Sequence, residues 1–194
     1  MKKPKRSVSS ITQFIGWNYL LNLEKKTVNL RDQALISLLF LTGGRVSEVL
    51  QLAKSNFTIK KKYVIVESMT VLKKYKKIDK EVIDGKVHWI TEKVKCSRTF
   101  PIGVKEPLTP YFIDYLDNKN DKLFKIKRRR VHQIVTGLDQ NVFPHWFRAQ
   151  RASQLASEYG FTIHDLIDFF SWKDLNTALH YSRMGWKELA KKMR

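Results

Sequence analysis

A single cysteine, Cys96, stands in 194 residues, which excludes an intramolecular disulfide framework and a multi-cysteine metal site. Long hydrophobic runs are missing as well. The longest apolar stretch, 34–41, is broken by Ser37 and falls far short of the roughly 20 residues a bilayer-crossing helix needs. The opening Met-Lys-Lys-Pro-Lys-Arg leads into polar sequence with no apolar secretion-signal core. A soluble, cytoplasmic chain with no membrane partner is expected. Neither repeats nor low-complexity linkers are visible. His88, His132, His164 and His180 follow no metal-ligand spacing and read as surface or packing residues, so no metal site is expected.

Negative charge is scarce. Lys and Arg number 37 against 18 Asp and Glu, for a net charge of +19. A compact domain so charged repels itself, and a polyanion, most commonly nucleic acid, is the partner that offsets the excess. The excess is thickest in the middle. Residues 54–105 hold 14 basic and 5 acidic side chains, and a second cluster is Lys125, Lys127, Arg128, Arg129 and Arg130. With 43% apolar residues, the chain has enough hydrophobic material for a packed core.

The pattern along the chain is helix, strand, helix. Apolar residues at helical spacing predict helices over 11–23, with Ser9-Ser10 as the cap, and over 30–42, ended by Gly43-Gly44. A short helix over 46–52 places Arg45 on the turn between helices. β-Branched and aromatic runs at 57–59, 63–66, 87–90 and 98–102 predict strands. Between them, lysine-rich 73–86 reads as a loop or an extended hairpin. Helices return at 108–117, 127–136, 144–159 and 162–171, with shorter pieces at 174–182 and 186–193. The expected class is α+β, mainly helical, with a small antiparallel sheet inserted between helices.

Four segments carry groups suited to phosphate chemistry. Thr42-Gly-Gly-Arg45-Val-Ser-Glu48 sets an arginine on a glycine turn at a helix start, with Glu48 one turn on to hold it. Glu92-Lys93-Val-Lys95-Cys-Ser-Arg98-Thr-Phe-Pro101 reads as a basic hairpin tip where a lysine can donate a proton. Pro144-His145-Trp-Phe-Arg148 puts His145 and Arg148 on one face of a helix near its N-terminus. Ser171 to Tyr181 contains Trp172 and the one tyrosine, of seven, near the C-terminus on a short polar segment. Taken singly, each has an ordinary explanation: a helix cap, a solvated turn, a satisfied histidine, half-buried packing.

Their order and spacing together resemble the catalytic domain of the tyrosine recombinases, of phage-integrase and Xer type. The matches are Thr-Gly-x-Arg-x-Ser-Glu, Lys-x4-Arg-x2-Pro, His-x-x-Arg, and a Trp nine residues before a Tyr, across about 11–190. The resemblance implies that Tyr181 attacks a DNA phosphodiester, forming a 3′-phosphotyrosyl bond and freeing a 5′-hydroxyl. It implies that Arg45 and Arg148 clamp the phosphate and Glu48 supports the arginine. Lys93 becomes the general acid, with Lys95 as fallback. His145 binds the phosphate or handles the phenol proton, and Trp172 donates through its indole N–H. The Lys125–Arg130 run meets DNA phosphates. The implied partners are double-stranded DNA and further copies of the chain in a tetrameric synapse, on nucleoid or viral DNA. The implied organisation is a basic arm at 1–10, a catalytic domain at 11–181, and a tail at 182–194 that docks on its own or a neighbouring protomer.

The sequence departs from the family pattern in three places. Too few residues precede 30–42 for a core-binding domain, which leaves open a catalytic-domain-only enzyme, a natural short form or a fragment. Ala149 follows Arg148 where many relatives have histidine, and the lysine-rich 73–86 stretch expands the hairpin region. Two other functions share the resemblance: a DNA-binding regulator that no longer cuts, and a type IB topoisomerase-like relaxing enzyme.

Overall fold

The computed structural model describes residues 13–71, 75–94, 96–119, 121–173 and 175–182. The class is α+β, as expected. Helices α1 (Trp17–Lys25), α2 (Leu30–Leu41) and α3 (Val46–Val49) lead through a 3-10 turn into strands β1 (Phe57–Ile59), β2 (Tyr63–Val71), β3 (Tyr75–Ile83), β4 (Lys86–Lys93) and β5 (Cys96–Gly103). Then come α4 (Thr109–Asp117), α5 (Arg128–Leu138), α6 (Pro144–Ser157), α7 (Ile163–Phe170) and α8 (Leu175–Ser182). The helix expected at 186–193, the Ser9-Ser10 cap, the arm at 1–10 and the tail beyond Ser182 lie outside the described residues.

Helix α2 is the axle of the core. Every side chain from Ala34 to Leu41 is fully buried, as expected of a helix segment apolar all round. Asn29 caps it, its side-chain oxygen accepting the Asp32 amide at 2.9 Å. Gly43, at φ +54, ends it, and a Cβ there would collide with the Phe170 ring. Helix α1 starts later than the expected 11–23, because Gly16 at φ +100 breaks the helical path just before Trp17. Helix α3 stops short of the expected residue 52. Leu52 instead accepts the Leu123 amide and Ala53 bridges Lys122, which draws the chain out straight.

The core sheet is antiparallel, in the order β1-β2-β5. Val64 and Val66 of β2 face inward, then Met69 and Val71 do. The three-residue step is made by a bulge between Val66 and Met69, with Ser68 at φ 51; without it, Met69 would point to solvent. Strands β3 and β4 form a separate hairpin, so residues 75–86 of the lysine-rich stretch are the extended hairpin, while 73–74 lie outside the described residues. Its tip is Asp84-Gly85, both at positive φ, the pair a two-residue type I′ turn requires. Lys93 therefore sits at the base of a hairpin, not at its tip. It ends β4 opposite Tyr75, next to where Val71 pairs with Cys96.

One buried group is costly. Glu24 on α1 is fully buried, and among the described residues neither carboxylate oxygen has a hydrogen-bond partner. Burial pushes its carboxyl up to about 8, with the Ser37 hydroxyl acting in the opposite direction. The folded chain thus holds a proton that the unfolded chain releases near 4.5. The stability this group contributes is fully present below pH 4.5 and is lost as pH rises toward 8. Glu24→Gln is expected to flatten that fall, gaining on the order of 3 kcal/mol over wild type at pH 8 and little at pH 5. Urea melts across pH 5–8.5 measure this; parallel curves for the two proteins would refute it.

Candidate active site

The arginine turn closes on itself. The Arg45 backbone N–H donates to Glu48 Oε2 at 2.8 Å, and its Nη1 donates to Oε1 at 2.7 Å. Glu48 is buried, whereas the Arg45 side chain keeps 32% of its surface exposed. A carboxylate held this way fixes the guanidinium at the mouth of a cleft.

Arg148 reaches the same turn from behind. It is 2% exposed on α6, and its Nη1 donates to Gly43 O at 2.6 Å while Nη2 donates to Phe170 O at 3.3 Å. Burial, then the charge of Arg45, pushes its guanidinium down to about 10, and Glu48 counters them. Helix α6 is held in place below this point by Arg151, whose guanidinium is paired with Glu106 and bonded to Gln154 at 2.7 Å.

The tyrosine side is a stack of rings. Ser171 ends α7 in the left-handed conformation, φ 50, and turns the chain back so that Trp172 lies parallel to Phe170 at 4.5 Å. Tyr181 of α8 lies parallel to Trp172 at 5.4 Å. Arg148 Cζ sits 4.7 Å from the Phe170 ring centre and 5.5 Å from that of Trp172. The Tyr181 phenol is half-buried, and burial raises it above its ordinary value while Arg148 pulls it back. The phenol is therefore protonated at neutral pH and borders a buried cation.

His145, at the start of α6, is exposed and faces a cleft of about 240 Å³ shared with Arg45, Ser47, Arg128 and His132. The N-terminal ends of α3, α5 and α6 converge there, which favours an anion. His132, expected from the sequence to be a surface or packing residue, is half-buried at this cleft. Its one legible sign was the i, i+4 spacing from Arg128, which puts both on one helix face.

The basic run divides. Arg128 reaches this cleft, while Lys125 borders a separate one with Arg31, Lys119 and Lys122. Lys127 caps α5, and Arg129 and Arg130 are exposed on its first turn. Lys95 and the side chain of Lys93 lie outside the described residues. No group of three or more potential metal ligands occurs among the described residues, and no described helix is long and apolar enough to cross a membrane.

Known proteins share this fold. A family model described as the phage integrase family matches residues 17–186. The tyrosine recombinase XerD of Vibrio vulnificus (strain YJ016) is 24% identical over 175 residues, covering 84% of this chain and 52% of XerD. The chain spans about half the length of the curated relatives it matches. Among solved structures, the XerA recombinase aligns with a TM-score of 0.61 and 18% identity, over 98% of this chain and 65% of that one. The XerH site-specific recombinase bound to its difH substrate gives 0.60 and 16%, over 90% and 50%. The Tn1549 transposon integrase in complex with transposon right end DNA gives 0.54 and 16%, over 91% and 62%. At these identities the structural likeness establishes the fold. With nearly all of its helices, its core sheet and both arginine motifs inside the matched span, the chain belongs to the phage integrase family.

Proposed function

We propose that this chain is the catalytic domain of a site-specific DNA recombinase or integrase, cutting and rejoining double-stranded DNA through a 3′-phosphotyrosyl intermediate. The observation that carries the reading is the convergence of Arg45, Arg148, Trp172 and Tyr181, from three distant segments, around the Gly43 and Phe170 carbonyls. XerH and the Tn1549 integrase, both solved with DNA, support duplex DNA as the partner, and the net charge of +19 suits it.

In this mechanism the Tyr181 phenol oxygen bonds to phosphorus and the bond to the 5′-oxygen breaks. The phenol gives up its proton as the bond forms, His145 either taking it up or hydrogen-bonding the phosphate, and the 5′-oxygen takes a proton from Lys93. Lys95 is the fallback donor. Arg148 commits two of its five N–H donors to carbonyls and turns the remaining edge to the phosphate. Arg45, oriented by Glu48, holds the opposite oxygen. The Trp172 indole keeps the phenol in plane and offers one N–H. Arg128, His132 and the exposed Lys127, Arg129 and Arg130 meet neighbouring phosphates. Residues 11–181 form this domain, with 1–10 a basic arm and 182–194 a tail. Assembly on DNA as a homo-oligomer completes the proposal. Because the phosphodiester energy is kept in the covalent bond, rejoining needs no nucleotide cofactor.

A randomised pool of nicked duplexes, from which the short released strand diffuses away, tests this. The expected result is a denaturant-resistant protein–DNA adduct whose peptide map places the nucleotide on Tyr181. Binding without any adduct, on either nicked or 5′-phosphorothiolate duplexes, would favour a DNA-binding regulator instead.

A further inference from the structure

Arg98 occupies an inward slot of β5, in series with Phe100 and Ile102, and is 5% exposed. Such slots ordinarily hold apolar side chains, because a buried guanidinium loses its hydration. Here burial and the nearby charge of Arg148 both push it down, to about 9. Its Nε has no hydrogen-bond partner among the described residues. Packing alone would be better served by a methionine or leucine, so the arginine must do something those cannot.

Its bonds show what that is. Nη1 donates to Phe169 O, and Nη2 donates to Thr42 O at 2.8 Å, with the Phe100 ring 4.3 Å below the guanidinium carbon. Arg148 takes the next carbonyl on each side, Gly43 O and Phe170 O. Two guanidiniums thus span the same gap as successive rungs, tying the C-terminal end of α2 to that of α7. One end runs on to Arg45. The other runs on to Trp172 and Tyr181. The strand that supplies the second rung, β5, is the continuation of the segment holding Lys93. A planar fork can serve two carbonyls from different chain segments at once, which an ammonium cannot do with the same geometry.

We propose that Arg98, on the recombinase reading above, is a positioning residue for strand transfer: its bonds to Thr42 and Phe169 hold the Arg45 turn, Arg148 and the Trp172–Tyr181 segment in one register with the strand that follows Lys93. It touches no substrate. Its effect passes through Arg148 and the two chain ends, so it acts on the rate of bond exchange rather than on DNA affinity.

The test compares wild type, Arg98→Met and Arg98→Lys by thermal melting, duplex affinity, and the single-turnover rate of adduct formation at saturating protein. Arg98→Met is expected to keep its Kd within about threefold while adduct formation slows at least about 100-fold. Arg98→Lys, which retains the charge and one carbonyl bond, is expected to recover about tenfold of that loss. If Arg98→Met melts below the assay temperature, Arg98→Lys decides: a wild-type Kd with slowed cleavage supports the role. Cleavage at the wild-type rate in either folded variant overturns it. So do parallel losses of affinity and rate, or the failure of both variants to fold. A wild type that forms no Tyr181 adduct sinks the recombinase reading and this role with it. A wild type that does, beside an equally fast Arg98→Met, sinks this role alone.

Discussion

Tyr181→Phe is expected to form no covalent adduct with DNA, a loss of at least about 10⁴-fold in cleavage, while binding duplex as tightly as wild type. The substitution removes one oxygen and leaves the ring. The stack on Trp172 at 5.4 Å, and through it on Phe170 at 4.5 Å, is made by ring faces and survives. The phenol is uncharged at neutral pH, since burial raises it above its ordinary value, so its removal subtracts no phosphate contact from the affinity. Thermal melting should therefore stay within a few degrees of wild type. Gel mobility under denaturing conditions reads the adduct and fluorescence anisotropy reads the affinity. A surviving adduct would move the nucleophile to another tyrosine, and its peptide map would say which.

How much of this was legible before folding depended on what each residue does. Arg45, Glu48, Arg148, Trp172 and Tyr181 act through side chains at fixed offsets from glycine, proline and helix starts, and such offsets survive in a linear string. The structure brings these five together. Arg98 belongs to the lysine motif, Lys-x4-Arg-x2-Pro, where it reads only as a spacing mark. Its partners are backbone carbonyls of Thr42 and Phe169, which no sequence pattern advertises. The one hint was alternation, since Arg98, Phe100 and Ile102 share a face and two of the three are apolar. The place of His132 is hard to read for a similar reason, because the cleft it lines is assembled from three helix starts.

The errors of outline were local. The lysine-rich stretch reads equally as a loop or an extended hairpin, and the Asp84-Gly85 turn decides for the hairpin; because β4 pairs with β3 and β5 with β2, Lys93 lies at a hairpin base and not at a tip between β4 and β5. The start of α1 was misplaced because a run of apolar residues at helical spacing outweighed Gly16. There the backbone conformation, at φ +100, decided the matter.

Arg148→Gln is expected to slow adduct formation by about 10³–10⁴-fold, which is about 4–5 kcal/mol of transition-state stabilisation, while raising the duplex Kd less than about tenfold. The asymmetry follows from charge. The bound phosphodiester carries one negative charge, and the pentacoordinate species formed as the phenol oxygen adds carries more. Behind it, Arg45, Arg98 and Arg148 lie close together and, among the described residues, interact with one buried carboxylate, Glu48. The protein side of the site is thus net positive and held in place by buried hydrogen bonds, where a preorganised charge is strongest against the more highly charged species. Removing one guanidinium forfeits most where the charge is greatest, in the transition state, and little in the ground state, where many exposed lysines and arginines share the binding. The salt dependence of Kd should accordingly change by no more than about one counterion. Glutamine also leaves one of the Gly43 and Phe170 carbonyls without a donor, costing about 1–3 kcal/mol in melting experiments. Arg148→Lys separates the two contributions. It keeps the charge but cannot serve both carbonyls and the phosphate together, so its cleavage should fall between wild type and Arg148→Gln. If Arg148→Gln instead lost affinity and rate by the same factor, the guanidinium would be a binding group only. The stabilisation of the transition state would then have to come from Arg45 and Lys93.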